Sequence, residues 1–393
     1  MKEESEAVPP ETVDENESQP KEVMDEFKKK VGVTYIETDV YTEAKKRINH
    51  VLDTFDKLFV CFSGGKDSLV VLNLVEEAYR ENGINEPVNV IFRDEELIPD
   101  DVINFVDWHV QQQDRFRFYY YAVQLKSTKF ILGKTYDYLQ WDESREWIRR
   151  KPDYAITAPG RIFDQYSMDA FCGEGHRGKL AFLTGVRADE SIVRFKALTN
   201  KVNENYIAGC ESPNIKLVKP IFDWSQNDVF KYFHDQGIKY CPIYDHQVWN
   251  GMALRVATPL HAESAKRFDK LKTLYPTFYQ QLVTMFPEML VQERYWSEYN
   301  RDGIIFEYDH SWNGILQYCR EHITEPHQRA LAVKRILMCK TIRDNKLARG
   351  EGLHNFGGYP LLYVFKSIMA GQYKREIQPC VVPPKGAIEY EQV

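Results

Sequence analysis

Residues 58–69 read Leu-Phe-Val-Cys-Phe-Ser-Gly-Gly-Lys-Asp-Ser-Leu, and this stretch decides the fold. The apolar run within Lys57–Phe62 predicts a short buried strand, and Leu69–Asn82 predicts a helix that ends at Gly83. Between them stands Ser63-Gly64-Gly65-Lys66-Asp67-Ser68. Two glycines let backbone N–H groups turn inward and approach a ligand with no Cβ in the way. The helix that follows adds unpaired N–H groups and the positive end of its dipole, which together favour phosphate. Ser63 and Ser68 supply hydroxyls, Lys66 a positive charge, and Asp67 a carboxylate for capping or for magnesium. The loop is not a Gly-x4-Gly-Lys-Ser/Thr loop. The bland alternative is an ordinary Gly-rich turn, but six specified residues between a strand and a helix point to a nucleotide phosphate.

Working outward, Thr42–Phe55 places Ala44, Ile48, Val51, Leu52 and Phe55 on one helical stripe. Val88–Arg93, Phe116–Val123 and Lys179–Gly185 read as further strands, with a helix from about Asp100 to Gln112. Strands alternating with helices at this spacing predict an α/β fold: a Rossmann-like, mostly parallel sheet with helices on both faces. Residues 246–350 show helix-length stretches (Leu260–Leu274, Pro276–Phe286, Glu325–Leu347) and no strand alternation, which predicts a mainly helical C-terminal extension. No internal repeat is visible.

The 393 residues carry 51 Lys plus Arg against 58 Asp plus Glu, a formal charge of −7. Hydrophobic residues at 43% and charged ones at 28% fit a globular protein and exclude collagen-like or wholly disordered classes. The acidity is local: residues 1–26 hold ten acids and two bases, leaving 49 bases and 48 acids elsewhere. That segment also lacks Phe, Tyr, Trp, Ile and Leu, so a disordered acidic tail is expected over residues 1–30. The N-terminus has no apolar core of a signal peptide, and no stretch approaches the ~18–20 apolar residues of a membrane span, so no membrane association is expected. Seven cysteines without a CxxC pair suggest reduced thiols and a cytoplasmic location.

The SGGKDS loop after a buried strand resembles the PP-loop of the ATP pyrophosphatase superfamily. Within it the chain is similar to the phosphoadenosine phosphosulfate (PAPS) reductase family. Three blocks carry the resemblance: Thr184–Arg194 (TGVRADESIVR), Val218–Asp245 with its PIFDWSQNDV and CPIYD elements, and Arg93-Asp94-Glu95-Glu96 at a strand end. The lead-in helix, Trp141–Trp147 and Leu254-Arg255-Val256 resemble the immunoglobulin-binding regulator A type, which has a helical C-terminal extension. The resemblance covers about residues 35–270. It implies an adenine nucleotide alpha hydrolase-like fold over 31–245 and a helical domain over 246–393.

The resemblance also implies roles. Ser63, Gly64, Gly65, Lys66, Asp67 and Ser68, with Gly185, would hold the phosphates of ATP or a related adenine nucleotide such as PAPS. Asp94 or Glu95 would lie near the adenosine or a metal. Arg187 and Arg194 would meet phosphate or sulfate oxygens, for which a planar two-pronged donor suits. Lys66, Asp67, Arg187 and Arg194 are thus the catalytic candidates. Asp67, Asp189 and Glu190 are the candidates for Mg²⁺; the local alternative for the arginine-bearing segment is a solvated loop with its own ion pairs. The implied chemistry is adenylation of a substrate with release of pyrophosphate, sulfur transfer, or both.

The pattern departs from a PAPS reductase in one respect: the Glu-Cys-Gly-x-His nucleophile motif is missing, and Cys380 stands in Gln-Pro-Cys-Val. No iron–sulfur cluster is expected, since the cysteines are isolated. Cys172 and His176 supply two metal-ligand types, although a Gly-rich loop is the plainer reading. A sulfonucleotide reductase and a catalytically silent, nucleotide-sensing regulator therefore stand as rivals. Arg329–Arg349 carries seven bases and one acid, Asp344. It reads either as a DNA or RNA phosphate contact or as a partly buried helix with solvated basic ends. A homo-oligomer or a partner protein stays open.

Overall fold

The structure is a computed structural model, and it describes residues 35–199, 204–252, 254–302, 308–351, 356–380, 384 and 387–391. The acidic tail expected over 1–30 lies outside the described residues. The chain forms two compact units, one of residues up to Val123 with Lys151–Val256, the other of Gln124–Arg150 with Ala257 onward.

The first unit starts with α1 (Val40–Thr54), whose Ala44, Ile48 and Val51 are buried as the stripe predicts. β1 (Lys57–Cys61), α2 (Lys66–Glu81), β2 (Val88–Arg93), α3 (Asp100–Val110) and β3 (Phe116–Tyr121) follow in strict alternation. The next strands, β4 (Gln124–Ile131) and β5 (Lys134–Gln140), belong to the second unit. The first unit resumes with β6 (Ile162–Phe163), α4 (Gln165–Gly173), β7 (Leu180–Leu183), α5 (Ile192–Thr199), β8 (Ile207–Gly209), β9 (Ile215–Val218), α6 (Gln226–Gln236) and α7 (Ile243–Trp249).

Its sheet has the order β3-β2-β1-β7-β9-β8. Every pair is parallel except β8 against β9. Consecutive residues Leu58, Phe59 and Val60 are all buried, as are all four residues of β7. Strands without alternation are what a sheet covered by helices on both faces requires. The fold is the Rossmann-like α/β architecture expected, with a helical C-terminal region.

α2 begins at Lys66, three residues before its apolar run, so Lys66, Asp67 and Ser68 lie in its first turn. α6 starts on Ser225, whose hydroxyl accepts from the Asp228 N–H (3.2 Å) while Asp228 accepts from the Ser225 N–H (2.7 Å). This reciprocal cap fixes where the helix after the PIFDW block starts.

In the second unit β4 and β5 pair antiparallel about Leu132-Gly133, both at positive φ (41° and 80°). That is the mirror-image turn a two-residue hairpin needs, made here without the Asn-Gly or Asp-Gly signature. The Leu132 N–H donates to the fully buried Gln292 side chain (2.7 Å), which also reaches the Ala265 carbonyl (3.0 Å). The rest of the unit is helical: α8 (Ala262–Ala265), α9 (Phe268–Leu274), α10 (Pro276–Met285), α11 (Met289–Asp302), α12 (Trp312–His322), α13 (Pro326–Ala348), α14 (Leu361–Met369) and α15 (Ala387–Glu391). Leu260–Leu274, read as one helix from sequence, is two short ones. Ile315, Cys319, Ile336, Cys339 and Phe365 centre a core between α12, α13 and α14.

The basic stretch is α13. It buries Ala332, Ile336 and Cys339, and several of its charges are already paired. Arg343 grips Glu391 (2.5 and 3.0 Å) and the Tyr359 carbonyl (3.2 Å), and Lys340 holds Asp344 (2.5 Å). No described helix is long and apolar enough to cross a membrane.

Replacing Ser225 by Ala removes the cap of α6 and is expected to cost about 1 kcal/mol. Urea unfolding should show a lower midpoint with an unchanged slope.

Candidate functional site

In a parallel sheet all strand ends of one kind share an edge, and the crevice opens where the strand order reverses direction. Here β2 lies on one side of β1 and β7 on the other, so that point falls between β1 and β7. The loop 63–68 leaves β1 there, and Thr184–Glu190 leaves β7 beside it. The two segments touch: a Cβ on Gly185 would come within 2.5 Å of the Asp67 carbonyl carbon and the Ser68 nitrogen, so only glycine fits. Gly64 has φ +74°, and a Cβ there would meet Val102 at 2.8 Å.

The loop is held from within by its serines. Ser68 Oγ lies 3.1 Å from Ser63 Oγ, accepts from the Ser63 N–H (3.1 Å) and donates to the Gly65 carbonyl (3.0 Å). Gly65 is the N-cap of α2 and has no side chain to close the helix end. Tyr244, from the CPIYD element, does so instead: the Lys66 N–H donates to its hydroxyl oxygen at 2.7 Å. Tyr244 is buried, and burial raises its phenol pKa well above the usual value, so the hydroxyl stays neutral.

Charge collects around this loop. Lys66 and Arg187 are only 4% and 3% exposed, and both bind Asp67: Lys66 Nζ to Oδ2 and Arg187 Nε to Oδ1, each at 2.7 Å. Arg187 also donates to the Trp224 carbonyl (3.3 Å), and its own N–H donates to Glu190 (3.1 Å), which pairs with Arg194. Burial lowers the Lys66 ammonium pKa below its ordinary value, against the pull of Asp67, and Arg187 and Arg255 add to the depression. Arg194 is lowered in the same way, first by burial and then by Arg255. Cations outnumber the carboxylates among them, which is the electrostatics of an anion site.

The PIFDW block explains why Arg187 stands where it does. The Trp224 ring is buried, and its indole N–H donates to the Val40 carbonyl (3.0 Å). Asp223 takes a two-pronged grip from Arg47 of α1 (2.7 and 2.6 Å). The backbone carbonyl that orients Arg187 is therefore pinned from both sides.

The structure thus brings Ser63, Gly64, Gly65, Lys66, Asp67, Ser68, Gly185, Arg187, Glu190 and Arg194 together. Asp94 and Glu95 follow β2 at the same sheet edge. Asp94 is spent on the protein itself, accepting from the Glu96 N–H (2.9 Å) and the Tyr120 hydroxyl (2.7 Å). Burial, and then Asp94, raises the Glu95 carboxyl pKa. Asp189 is exposed. Both oxygens of Asp67 face cations, and among the described residues no three His, Cys, Asp or Glu side chains gather to hold a metal. Cys172 is wholly buried, and the His176 ring packs on Phe59 and Tyr119 at 4.8 and 5.3 Å. Two side chains at the loop had no role from sequence: Tyr244, which caps the Lys66 amide, and Arg255, whose charge lowers the pKa of Lys66 and Arg194. The CPIYD and Leu254-Arg255-Val256 blocks were visible, but their contact with the loop is tertiary. Beside Tyr244 lies an open cavity of about 320 Å³ lined by Phe230, Tyr240, Asp245 and Trp249 among others.

The model of the phosphoadenosine phosphosulfate reductase domain matches residues 57–277, more than half of the chain. The chain belongs to that family, within the PP-loop superfamily. A curated relative is the uncharacterized protein YbdN of Escherichia coli K12, 26% identical over 233 residues, 55% of this chain and 57% of that protein. The chain thus spans just over half the length of that relative. Among solved structures, the PAPS reductase of Candida auris in a phosphate complex covers 55% of this chain and 93% of its own (14% identity, TM-score 0.30). The U34-tRNA thiolase NcsA of Methanococcus maripaludis, with its [4Fe-4S] cluster, covers 68% and 84% (16% identity, TM-score 0.29).

Replacing Asp67 by Ala strands two buried cations without their counter-charge, and should destabilise the protein by about 3–5 kcal/mol. Denaturant unfolding of the purified variant measures it.

Proposed function

We propose that this chain is a PP-loop enzyme that binds ATP on Ser63–Ser68 and adenylates an acceptor with release of pyrophosphate. The observation that carries the proposal is the junction of the two loops. A glycine loop at a helix N-terminus and an arginine-bearing loop meet at the switch point, with Lys66 and Arg187 both anchored on Asp67.

In the reaction an acceptor oxygen attacks the α-phosphorus, the bond to the bridging oxygen breaks, and pyrophosphate leaves with the electron pair. The protein's contribution is positioning and charge stabilisation. The amides of Gly64, Asp67 and Ser68 cradle the phosphates, those of Gly65 and Lys66 being given to Ser63 and Tyr244; Lys66 supplies charge at the loop, and Arg187 and Arg194 offer donors to the oxygens on which charge grows. Asp67 keeps Lys66 and Arg187 in place. Mg²⁺ binds by preference through phosphate oxygens and few protein carboxylates, so here it would arrive with the nucleotide and neutralise phosphate charge. Of the three carboxylates read for the ion, Asp67 is held by Lys66 and Arg187 and Glu190 by Arg194, while Asp189 is exposed on the neighbouring segment, so the phosphate oxygens would supply most of its ligands. Sulfur transfer would be the same first half followed by displacement of AMP by a sulfur nucleophile.

At five of the seven cysteines a thiol-based reduction fits less well. It needs a thiolate at working pH. Burial pushes Cys61, Cys241, Cys319 and Cys339 up to about 12 and Cys172 to about 11. Changing each of the seven cysteines to Ser one at a time should leave pyrophosphate release intact; loss of turnover with one of them, accompanied by sulfite release from PAPS, would favour the reductase.

ATP binding by calorimetry and pyrophosphate release with candidate acceptors test the main reading. Lys66→Ala is expected to lower turnover at least 100-fold, on the scale of losing one charge-stabilising donor. Unchanged binding and turnover would remove the site assignment, and ATP binding with no release would favour a regulator.

A further inference from the structure

The charged residues of the site do not all come from the two loops. After α7 the chain turns back, and Leu254-Arg255-Val256 passes beside the glycine loop: Val256 Cβ lies 3.6 Å from where a Cβ on Gly65 would sit. This segment has no sheet ladder to hold it. A buried side chain does that work. Gln247, itself buried, donates through Nε2 to the Arg255 carbonyl (2.6 Å) and accepts through Oε1 from the Arg255 N–H (3.0 Å). Both ends of the amide are spent on the backbone of one residue, Arg255. The Met252 N–H also donates to the Gln247 carbonyl (2.8 Å), so the turn closes on the same residue.

The side chain held in this way is exposed, and among the described residues it has no acid partner. Its neighbours are cations: the Arg255 charge adds to the depression of both Lys66 and Arg194. A fold that fixes the backbone under an arginine beside the glycine loop, where its charge is felt by Lys66 and Arg194 and where it has no acid partner of its own among the described residues, carries an unfavourable interaction that a bound anion relieves.

We infer that Arg255 is an anion-binding residue of this site, that Gln247 is its positioning residue, and that its ligand is the phosphate chain gathered by the glycine loop. The inference deepens the nucleotide reading above and rests on it for the identity of the chain. A single phosphate is served by the loop amides and Lys66. The further charge of a di- or triphosphate is what calls for another cation. Arginine suits the role, because its planar fork addresses two oxygens at once.

Calorimetric binding of ATP, AMP and inorganic pyrophosphate to the full chain tests this, with Arg255→Ala, Arg255→Lys and Gln247→Leu beside the wild type. Arg255→Ala should weaken ATP and pyrophosphate roughly ten- to a hundredfold, the range of one charge-assisted hydrogen-bonding group, and leave AMP within about twofold. Arg255→Lys should recover part of the loss. Gln247→Leu should weaken ATP and pyrophosphate by a smaller factor, again sparing AMP, which a merely structural glutamine would not do. Should the alanine variant unfold, Arg255→Gln keeps the length without the charge and carries the same expectation. Wild-type affinity for ATP and pyrophosphate in the Arg255 variants overturns the inference, as does an AMP loss equal to the ATP loss. A wild-type protein that binds pyrophosphate but not ATP sinks the nucleotide reading while Arg255 is still judged on pyrophosphate. Binding of neither sinks both.

Discussion

The carboxylate of Asp67 is the constraint on which the site depends. It sits in the first turn of the helix that leaves the glycine loop, and it binds one cation from its own loop and one from the segment after β7. Neither cation is exposed, so each needs that carboxylate to be tolerable in the interior. The pair also sets the spacing of the two segments, and that spacing leaves no room for a side chain at residue 185. Charge, backbone approach and glycine choice are one requirement seen from three residues.

A second layer steadies the first. Trp224 and Tyr244 come from blocks with no catalytic chemistry of their own, yet one offers its carbonyl to Arg187 and the other caps the Lys66 amide. Both are buried, and the backbone under Trp224 is tied to α1 through Val40 and Arg47. The anion site therefore rests on helices and on buried aromatic packing as well as on loops, and this keeps its donors in place before any ligand arrives.

Much of this was legible in the residues. The strands at Val88–Arg93 and Phe116–Tyr121 follow from apolar runs bounded by turns, and the amphipathic stripe of α1 predicts its buried face. The hairpin of β4 and β5 was not legible, because its turn is Leu132-Gly133 and its support comes from Gln292, some 160 positions along. Periodicity places the start of α2 three residues late for a similar reason. Its first turn is polar, so periodicity is silent there, and the group that caps it is a tyrosine 178 positions away.

The sequence by itself determined the chemistry on offer: a strand, two glycines, a lysine and an aspartate opening a helix can make an anion site because glycine geometry and helix ends are local properties. It also determined the alternation from which a parallel sheet follows. Only the tertiary structure decided which charges face which. That Asp67 serves Arg187, that Glu190 is taken by Arg194, and that Arg255 is left without an acid partner among the described residues are matters of separation in space, and Coulomb attraction follows distance and burial with no regard for position along the chain.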